Sequence, residues 1–153
     1  MHDITTACVS IRWMIRRDLR EVCGIETSSY DFPWCKDDFL RRLHQRNCIS
    51  MVAETEGRVV GFMIYELHKS KLHVLNLAVH PHHRCQGIGA QMLAKLISKL
   101  TQRRRARIVL EVRERNVPVQ LFLQSRGFRA ITVRRGHYED TGEDAYVMQY
   151  ACQ

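Results

Sequence analysis

The stretch "HHRCQGIGAQMLAKLISKL" (His82–Leu100) decides how the rest of the chain folds. Its second half is regular. Met92, Leu93, Leu96, Ile97 and Leu100 recur at helical spacing, while Lys95, Ser98 and Lys99 fall on the other side. Its first half carries Arg84 and two glycines one residue apart, Gly87 and Gly89. The first N–H groups of a helix lack internal partners, and the helix dipole makes that end positive. A phosphate fits there without a side-chain ligand. Glycine removes the side chains that would hold it off and permits unusual backbone angles. Just upstream, "LNLAV" (Leu75–Val79) is nearly all apolar, as in a strand covered on both faces. The stretch therefore predicts a strand–loop–helix unit whose loop takes an anion, expected to be a diphosphate.

The flanking sequence supplies the other elements. "VSIRWM" (Val9–Met14) reads as a short strand and "RRDLREVCGIE" as a helix, with "SSYDFPW" a loop around Pro33. "KDDFLRRLHQ" is a second helix. "CISMVAE" and "RVVGFMIYEL" are strands joined by the hairpin signal "TEGR", and "KLHVLNLAVH" is a third strand. After the quoted helix come the buried strand "RIVLEV" and a helix in "NVPVQLFLQSRGF". Asn116 caps that helix, Pro118 lies in its first turn and Gly127 ends it. "FRAITVRR" and "AYVMQY" close the chain as strands. The order β-α-α-β-β-β-α-β-α-β-β predicts an α/β (α+β) fold. It has a mixed, mostly antiparallel sheet of about six or seven strands, with about four helices on its faces.

At 153 residues the chain suits one domain. Its 45% hydrophobic and 26% charged residues argue against disorder. The N-terminus "MHDITTACVSIRWM" has no long apolar core, so no signal peptide is expected. No run of about 20 apolar residues suggests a membrane span. Six cysteines (Cys8, Cys23, Cys35, Cys48, Cys85, Cys152) are scattered without C-x-x-C spacing, and read as reduced cytoplasmic thiols. "HPHHR" invites a metal reading, but nothing else with ligand spacing accompanies it, and no metal is expected. The net charge of +8, concentrated in "RRRAR", at Arg134–Arg135 and at Arg16, Arg17 and Arg20, fits an anionic ligand, nucleic acid or simple solubility. No lysine follows the glycines as a P-loop requires, and a Rossmann loop needs a third glycine and an early βαβ unit.

"RCQGIG" resembles the acetyl-CoA motif [RQ]-x-x-G-x-[GA] of the GNAT N-acetyltransferase superfamily, and it follows "LNLAV" and "HP" where that family has its cofactor-binding strand. "IRWMIRRDLREVCGIE", "DFPW", "LEVRERN", "QSRGF" and "VRRGHYEDTGEDAYVM" extend the resemblance over nearly the whole chain. Within the superfamily they look most like the bacterial ribosomal-protein alanine N-acetyltransferases. The resemblance implies a GNAT fold, one N-acetyltransferase domain over residues 1–153, and acetyl-CoA as co-substrate. It implies that Leu77, Ala78 and Val79 offer backbone groups to the acetyl and pantetheine parts. It implies that Cys85, Gln86, Gly87, Ile88, Gly89 and Ala90 wrap the pyrophosphate, with Arg84 adding charge and Asn116 a further contact. Glu111, which interrupts the apolar run "RIVLEV", matches the general base, as an amine attacks a thioester only when neutral. The family's tyrosine four residues before the glycine of its G-F pair falls here on Leu123, beside Phe122, and neither donates a proton. Tyr138 resembles the tyrosine of the family's substrate-binding hairpin and is a candidate for that role, with water the other.

The expected activity is acetylation of a protein N-terminal α-amino group, on a ribosomal protein or another protein or peptide. An α-amine has a pKa of about 7.7–8.0 against about 10.4 for lysine, so a weak base suffices more easily. A GNAT for a small amine or a lysine is the alternative within enzymes. A basic ribosome- or RNA-binding module without catalysis is the alternative outside them. No RNA or DNA motif and no aromatic platform accompanies the arginines, so direct nucleic-acid binding is not expected. Neither is a membrane.

Overall fold

A computed structural model of the chain describes residues 7–152, the side chain of Arg103 left aside. The N-terminal stretch read above for an apolar leader begins in residues 1–6, outside the described residues. The elements are β1 (Ser10–Trp13), α1 (Leu19–Ser29), α2 (Lys36–His44), β2 (Cys48–Thr55), β3 (Arg58–Leu67), β4 (Lys71–Val79), α3 (Ile88–Arg103), β5 (Arg107–Arg113), α4 (Val117–Ser125), β6 (Arg129–Tyr138) and β7 (Glu143–Ala151). Their order is the one the sequence predicts. Short 3-10 turns at Arg16–Asp18 and Pro81–His83 are added.

Several boundaries move for local reasons. α1 runs three residues past Glu26, and there the hydroxyls of Thr27, Ser28 and Ser29 donate back to the carbonyls of Cys23, Gly24 and Ile25 instead of disrupting the turn. The "TEGR" turn closes with Glu56 and Gly57 both at positive φ, 51° and 76°, the twist a two-residue hairpin needs.

The seven strands form one sheet in the order β1-β2-β3-β4-β5-β7-β6. Every pairing is antiparallel except β4 with β5. Helices cover both faces. One core joins Met92, Leu93, Leu96 and Leu100 of α3 and Leu123 of α4 to Leu72, Val74, Ile108 and Leu110 of the sheet. The other joins Val22 and Ile25 of α1 and Phe39 of α2 to Val52, Phe62 and Ile64. Alternation along β2 splits Met51 and Ala53 from Val52 between the two faces. Each fully buried aliphatic or aromatic side chain contributes roughly 1.5–3 kcal/mol. Phe39 and Phe62 also meet edge to face, centroids 5.5 Å apart. Gly61 of β3 is where α3 comes down on the sheet: a Cβ there would stand 2.9 Å from Met92 Sδ.

A buried ion pair ties the first strand to the first helix. The Asp18 carboxylate, 3% exposed, accepts from Arg12 Nη1 and Nη2 at 2.8 and 2.9 Å and from the Ile15 N–H at 2.9 Å. The Arg12 hydrogen bonds hold the Asp18 carboxyl below its ordinary value of 3.8. A carboxyl with a lowered folded pKa stabilises the fold above 3.8, and that share is lost as pH falls through the lower value. Asp18→Ala is expected to cost roughly 2–3 kcal/mol in urea unfolding, below the usual figure for a broken buried pair because Glu54 still holds Arg12. The stability difference between variant and parent should shrink as the pH is taken below 3.8.

Candidate active site

The opening in the sheet comes from β4. β4 and β5 pair in parallel only at Lys71–Arg107, Leu72–Ile108 and His73–Val109, and then separate. β4 stays on β3 as far as Val79, with one register shift where Tyr65 pairs with Val74 and Ile64 with Asn76. That shift bulges Leu75, so Leu75 packs toward α1 along with Asn76, while Leu77 and Val79 return to the α3 face. His80 N–H donates to Val60 C=O, so the ladder alternation assigns the main-chain groups of Ala78 to β3. Those of Leu77 and Val79 point away from β3, but Leu77 C=O accepts from the Tyr30 hydroxyl, Leu77 N–H donates to Asn76 Oδ1 and Val79 C=O accepts from Arg84 Nε. Of the three strand residues expected to offer backbone groups, Ala78 is paired with β3, Leu77 is satisfied within the protein, and Val79 keeps its N–H toward the gap.

At the mouth of the gap lies the start of α3. Gly87 is its N-cap, left-handed at φ 80°, and no side chain caps it among the described residues. Gln91 N–H returns to Gly87 C=O, so the N–H groups of Ile88, Gly89 and Ala90 have no partner within the helix. Cys85 also sits at positive φ, 61°, a position that costs a non-glycine residue roughly 1–2 kcal/mol. Gly89 has another reason: it is helical, and a Cβ on it would stand 3.1 Å from Phe122 Cζ of α4. Of the paired glycines, only Gly87 supplies the unusual backbone angle. The Ile88 side chain is buried in the core. Arg84 does not reach over the loop. Its Nε donates to Val79 C=O and its Nη2 to Ser29 Oγ, both at 3.1 Å, so its charge acts from the strand side. Asn116 caps α4 through Oδ1, which accepts from Val119 N–H at 3.4 Å.

Glu111 stands on β5 just past the last parallel pair, with its side chain 15% exposed. Its Oε2 is 2.7 Å from His73 Nε2, and Oε1 is 3.7 Å from Arg134 Nε of β6. Burial works to raise its pKa, but the hydrogen bond and charge of His73 and the charge of His137 outweigh that, and Glu111 is held below its ordinary value of 4.5. It is ionised throughout the neutral range. On the same face of β5, Arg113 lies two residues on. Tyr138 stacks on that guanidinium, 3.8 Å from Cζ to the ring centre. Burial pushes the Tyr138 hydroxyl up to about 12, with the Arg113 charge pulling the other way, so it keeps its proton at neutral pH. Leu123 is fully buried inside the α3–α4 core.

Six site-shaping residues were not singled out from sequence. His73 orients Glu111. Gln91 of α3 donates to Ala7 C=O and to Gly87 C=O, and accepts from Val9 N–H at 3.3 Å, tying the glycine loop to the chain before β1. Tyr30 donates to Leu77 C=O on the lip of the opening, and burial holds its hydroxyl above the ordinary value. Glu26, 1% exposed, accepts from Trp34 N–H at 2.8 Å and Asn76 Nδ2 at 2.9 Å. Asn76 Oδ1 in turn accepts from Leu77 N–H at 2.9 Å. The two loops "SSYDFPW" and "RRGHYEDTGED" meet on Arg113. It holds Asp140 by two hydrogen bonds of 2.7 and 3.1 Å and Glu143 at 3.3 Å, and its Cζ lies 5.4 Å from the Phe32 ring centre. Arg113→Leu should free both loops. It is expected to raise the KM for an acceptor peptide more than it lowers kcat, with amide exchange faster over residues 136–143.

An uncapped helix start, the end of β4 and a carboxylate on β5 lie around the place where β4 and β5 separate. That arrangement suits an enzyme that moves a group from a donor with an anionic handle. The acetyltransferase (GNAT) family model matches residues 10–128. The ribosomal protein bS18-alanine N-acetyltransferase of Escherichia coli strain K12 is 32% identical over 133 residues, 86% of this chain and 89% of that protein. The crystal structure of the ribosomal-protein-S18-alanine N-acetyltransferase from Escherichia coli superposes with a TM-score of 0.84 at 29% identity, covering 94% of each chain. Ard1 from Thermoplasma volcanium shares the fold, with a TM-score of 0.87 at 23% identity over 96% of this chain and 99% of that one. The chain belongs to the acetyltransferase (GNAT) family and is an acetyl-CoA-dependent N-acetyltransferase. The non-catalytic basic module is thereby set aside.

Proposed function

We propose that the chain acetylates the N-terminal α-amino group of a protein, on the pattern of its ribosomal-protein-alanine relatives, and that residues 1–153 form one such domain. The observation that carries the reading is the ionised Glu111 at the point where β4 and β5 part. Acetyl-CoA, when bound, supplies an acetyl group activated as a thioester, which the amine takes in exchange for a free thiol. The uncapped α3 start at Gln86–Ala90 suits its pyrophosphate, and the Val79 N–H, turned away from β3, suits its amide-bearing arm. Asn116 Nδ2 adds a polar contact. No metal is needed for these steps.

Glu111 receives the proton the amine nitrogen must lose as its new bond to carbon forms, and passes it to water. A carboxylate this weakly basic cannot strip an ammonium beforehand, so the acceptor must arrive neutral. At pH 7 about 10–17% of an α-amine is neutral against about 0.04% of a lysine. That difference favours the α-amine over the lysine alternative. Tyr138, protonated and on the same face, is the chain's candidate to return a proton to the departing sulfur. Tyr138→Phe should lower kcat far more than it raises peptide KM. If solvent serves instead, the change should touch mainly peptide binding, by a hydrogen bond worth about 0.5–1.5 kcal/mol.

No helix among the described residues is long and apolar enough to cross a membrane. The six free thiols favour a cytoplasmic setting. The reading is tested with acetyl-CoA and two peptide sets, one with a free N-terminus and no lysine, the other N-terminally blocked with a lysine, scored by mass spectrometry. Acetylation of the first set is expected. Modification of the blocked, lysine-bearing set alone would overturn the α-amine assignment.

A further inference from the structure

The β3–β4 hairpin brings together three groups that acetyl transfer does not use in common. Glu66 and His68 stand at the end of β3 and just beyond it, and His73 lies on β4 opposite Glu66. His68 Nε2 is 3.2 Å from Glu66 Oε1, His73 Nδ1 is 3.6 Å from the same oxygen, and all three ligand atoms lie within 4.8 Å of one another. Zinc with nitrogen and oxygen ligands at about 2.0–2.1 Å puts neighbouring ligands about 3.3–3.4 Å apart along a tetrahedral edge. The two measured separations bracket that edge.

The contacts around the cluster are compatible with an ion. His73 Nε2 lies 2.7 Å from Glu111 Oε2, which leaves Nδ1, 3.6 Å from Glu66 Oε1, as the nitrogen that can turn to a metal. The other Glu66 oxygen, Oε2, is already held by Gln45 Nε2 at 2.7 Å and approached by Arg42 Nη1 at 3.6 Å, which leaves Oε1 as the ligand atom. Around a metal the outer contacts would then be those that fix ligands elsewhere: a carboxylate on the far nitrogen of a ligating histidine and an amide on the carboxylate. The His68 side chain is 40% exposed, so an ion can enter from solvent and a fourth position stays open.

We propose that Glu66, His68 and His73 bind a divalent transition-metal ion, zinc by its ligand set, with Glu111 as the carboxylate behind His73. The ion clips the end of β3 to β4. It also places two positive charges one residue from Glu111, the carboxylate that receives the proton of the attacking amine, and so makes that carboxylate a weaker proton acceptor. Peptide turnover therefore falls with occupancy; this second part rests on the role given above to Glu111.

The test uses tag-free, chelator-stripped protein titrated with Zn²⁺ by calorimetry and with Co²⁺ by absorption. One saturable site of micromolar affinity or better is expected. The cobalt spectrum should show tetrahedral d–d bands without a thiolate charge-transfer band, which sets the site apart from the six cysteines. His68→Gln, at an exposed position, should weaken Zn²⁺ at least about tenfold, and Glu66→Gln should act in the same direction. A His82→Asn/His83→Asn double change should leave affinity as it was. Absence of saturable binding, a thiolate band, or parental affinity in both His68→Gln and Glu66→Gln overturns the site. Zinc binding of the expected kind with kcat unmoved overturns the link to catalysis and leaves the site. A kcat that falls in the parent but not in His68→Gln, each against its own metal-free value, supports both.

Discussion

Glu111→Gln is expected to cut turnover at pH 7 by roughly 10²–10⁴-fold, the span usual for a positioned acid–base group. Glutamine keeps the size and can still accept from His73 Nε2, which lies 2.7 Å from the present carboxylate, but it cannot hold a proton. The loss should fall on kcat more than on acetyl-CoA affinity, because Glu111 stands on β5, across the gap from the helix start at Gly87. Raising the pH should speed parent and variant alike, since more of the acceptor is then neutral, and leave the ratio between them about unchanged. The parental enzyme should lose activity only well into acid on account of Glu111. Its carboxyl is held below 4.5, so the decline nearer neutrality belongs to the amine, whose ionisation lies at about 7.7–8.0. Parental turnover in Glu111→Gln at pH 7 removes the residue from the mechanism.

Gly87→Val is expected to weaken acetyl-CoA by about 10–100-fold, the worth of one or two hydrogen bonds from the N–H groups of Gln86–Ala90 to a charged phosphate. Gly87 sits at φ 80°, where a β-branched residue is strained, and on the proposed reading its side chain would crowd the pyrophosphate. Strain alone lowers stability, by roughly 1–2 kcal/mol. Gly87→Ala carries much of the strain with a smaller side chain, so comparing melting temperature and affinity in the two variants separates the effects. Affinity should fall further in the valine variant than stability does. An unchanged acetyl-CoA affinity in folded Gly87→Val would falsify the placement of the pyrophosphate.

Part of the candidate site could be proposed from sequence because its signals are local. Gly87 precedes a helix, Asn116 precedes another, and Glu111 breaks an apolar strand, all within windows of a few residues. The residues that shape the site from elsewhere carry no such mark. His73 meets Glu111 across 38 residues, Tyr30 meets Leu77 across 47, Glu26 meets Asn76 across 50 and Gln91 meets Ala7 across 84. Their partners follow from strand register. The metal cluster shows the middle case. "ELHKSKLH" holds Glu66, His68 and His73 within one tight hairpin, and the pairing of Glu66 with His73 can be read once the turn is recognised.

The sequence by itself determined the element order, the two periodicities that cover both sheet faces, the glycine loop before α3 and the carboxylate on β5. Those are properties of residues near one another along the chain, where φ and ψ preferences and side-chain spacing act. Only the tertiary structure decided that β7 and not β6 lies beside β5, leaving β6 exposed at the edge. It alone decided that β4 and β5 part after three pairs, that the Leu75 bulge turns the main-chain groups of Leu77 and Val79 away from β3, and that Gly89 is small for Phe122. These depend on which strands meet and in what register. That is settled by burying two apolar faces at once over long sequence separations, and no local window contains it.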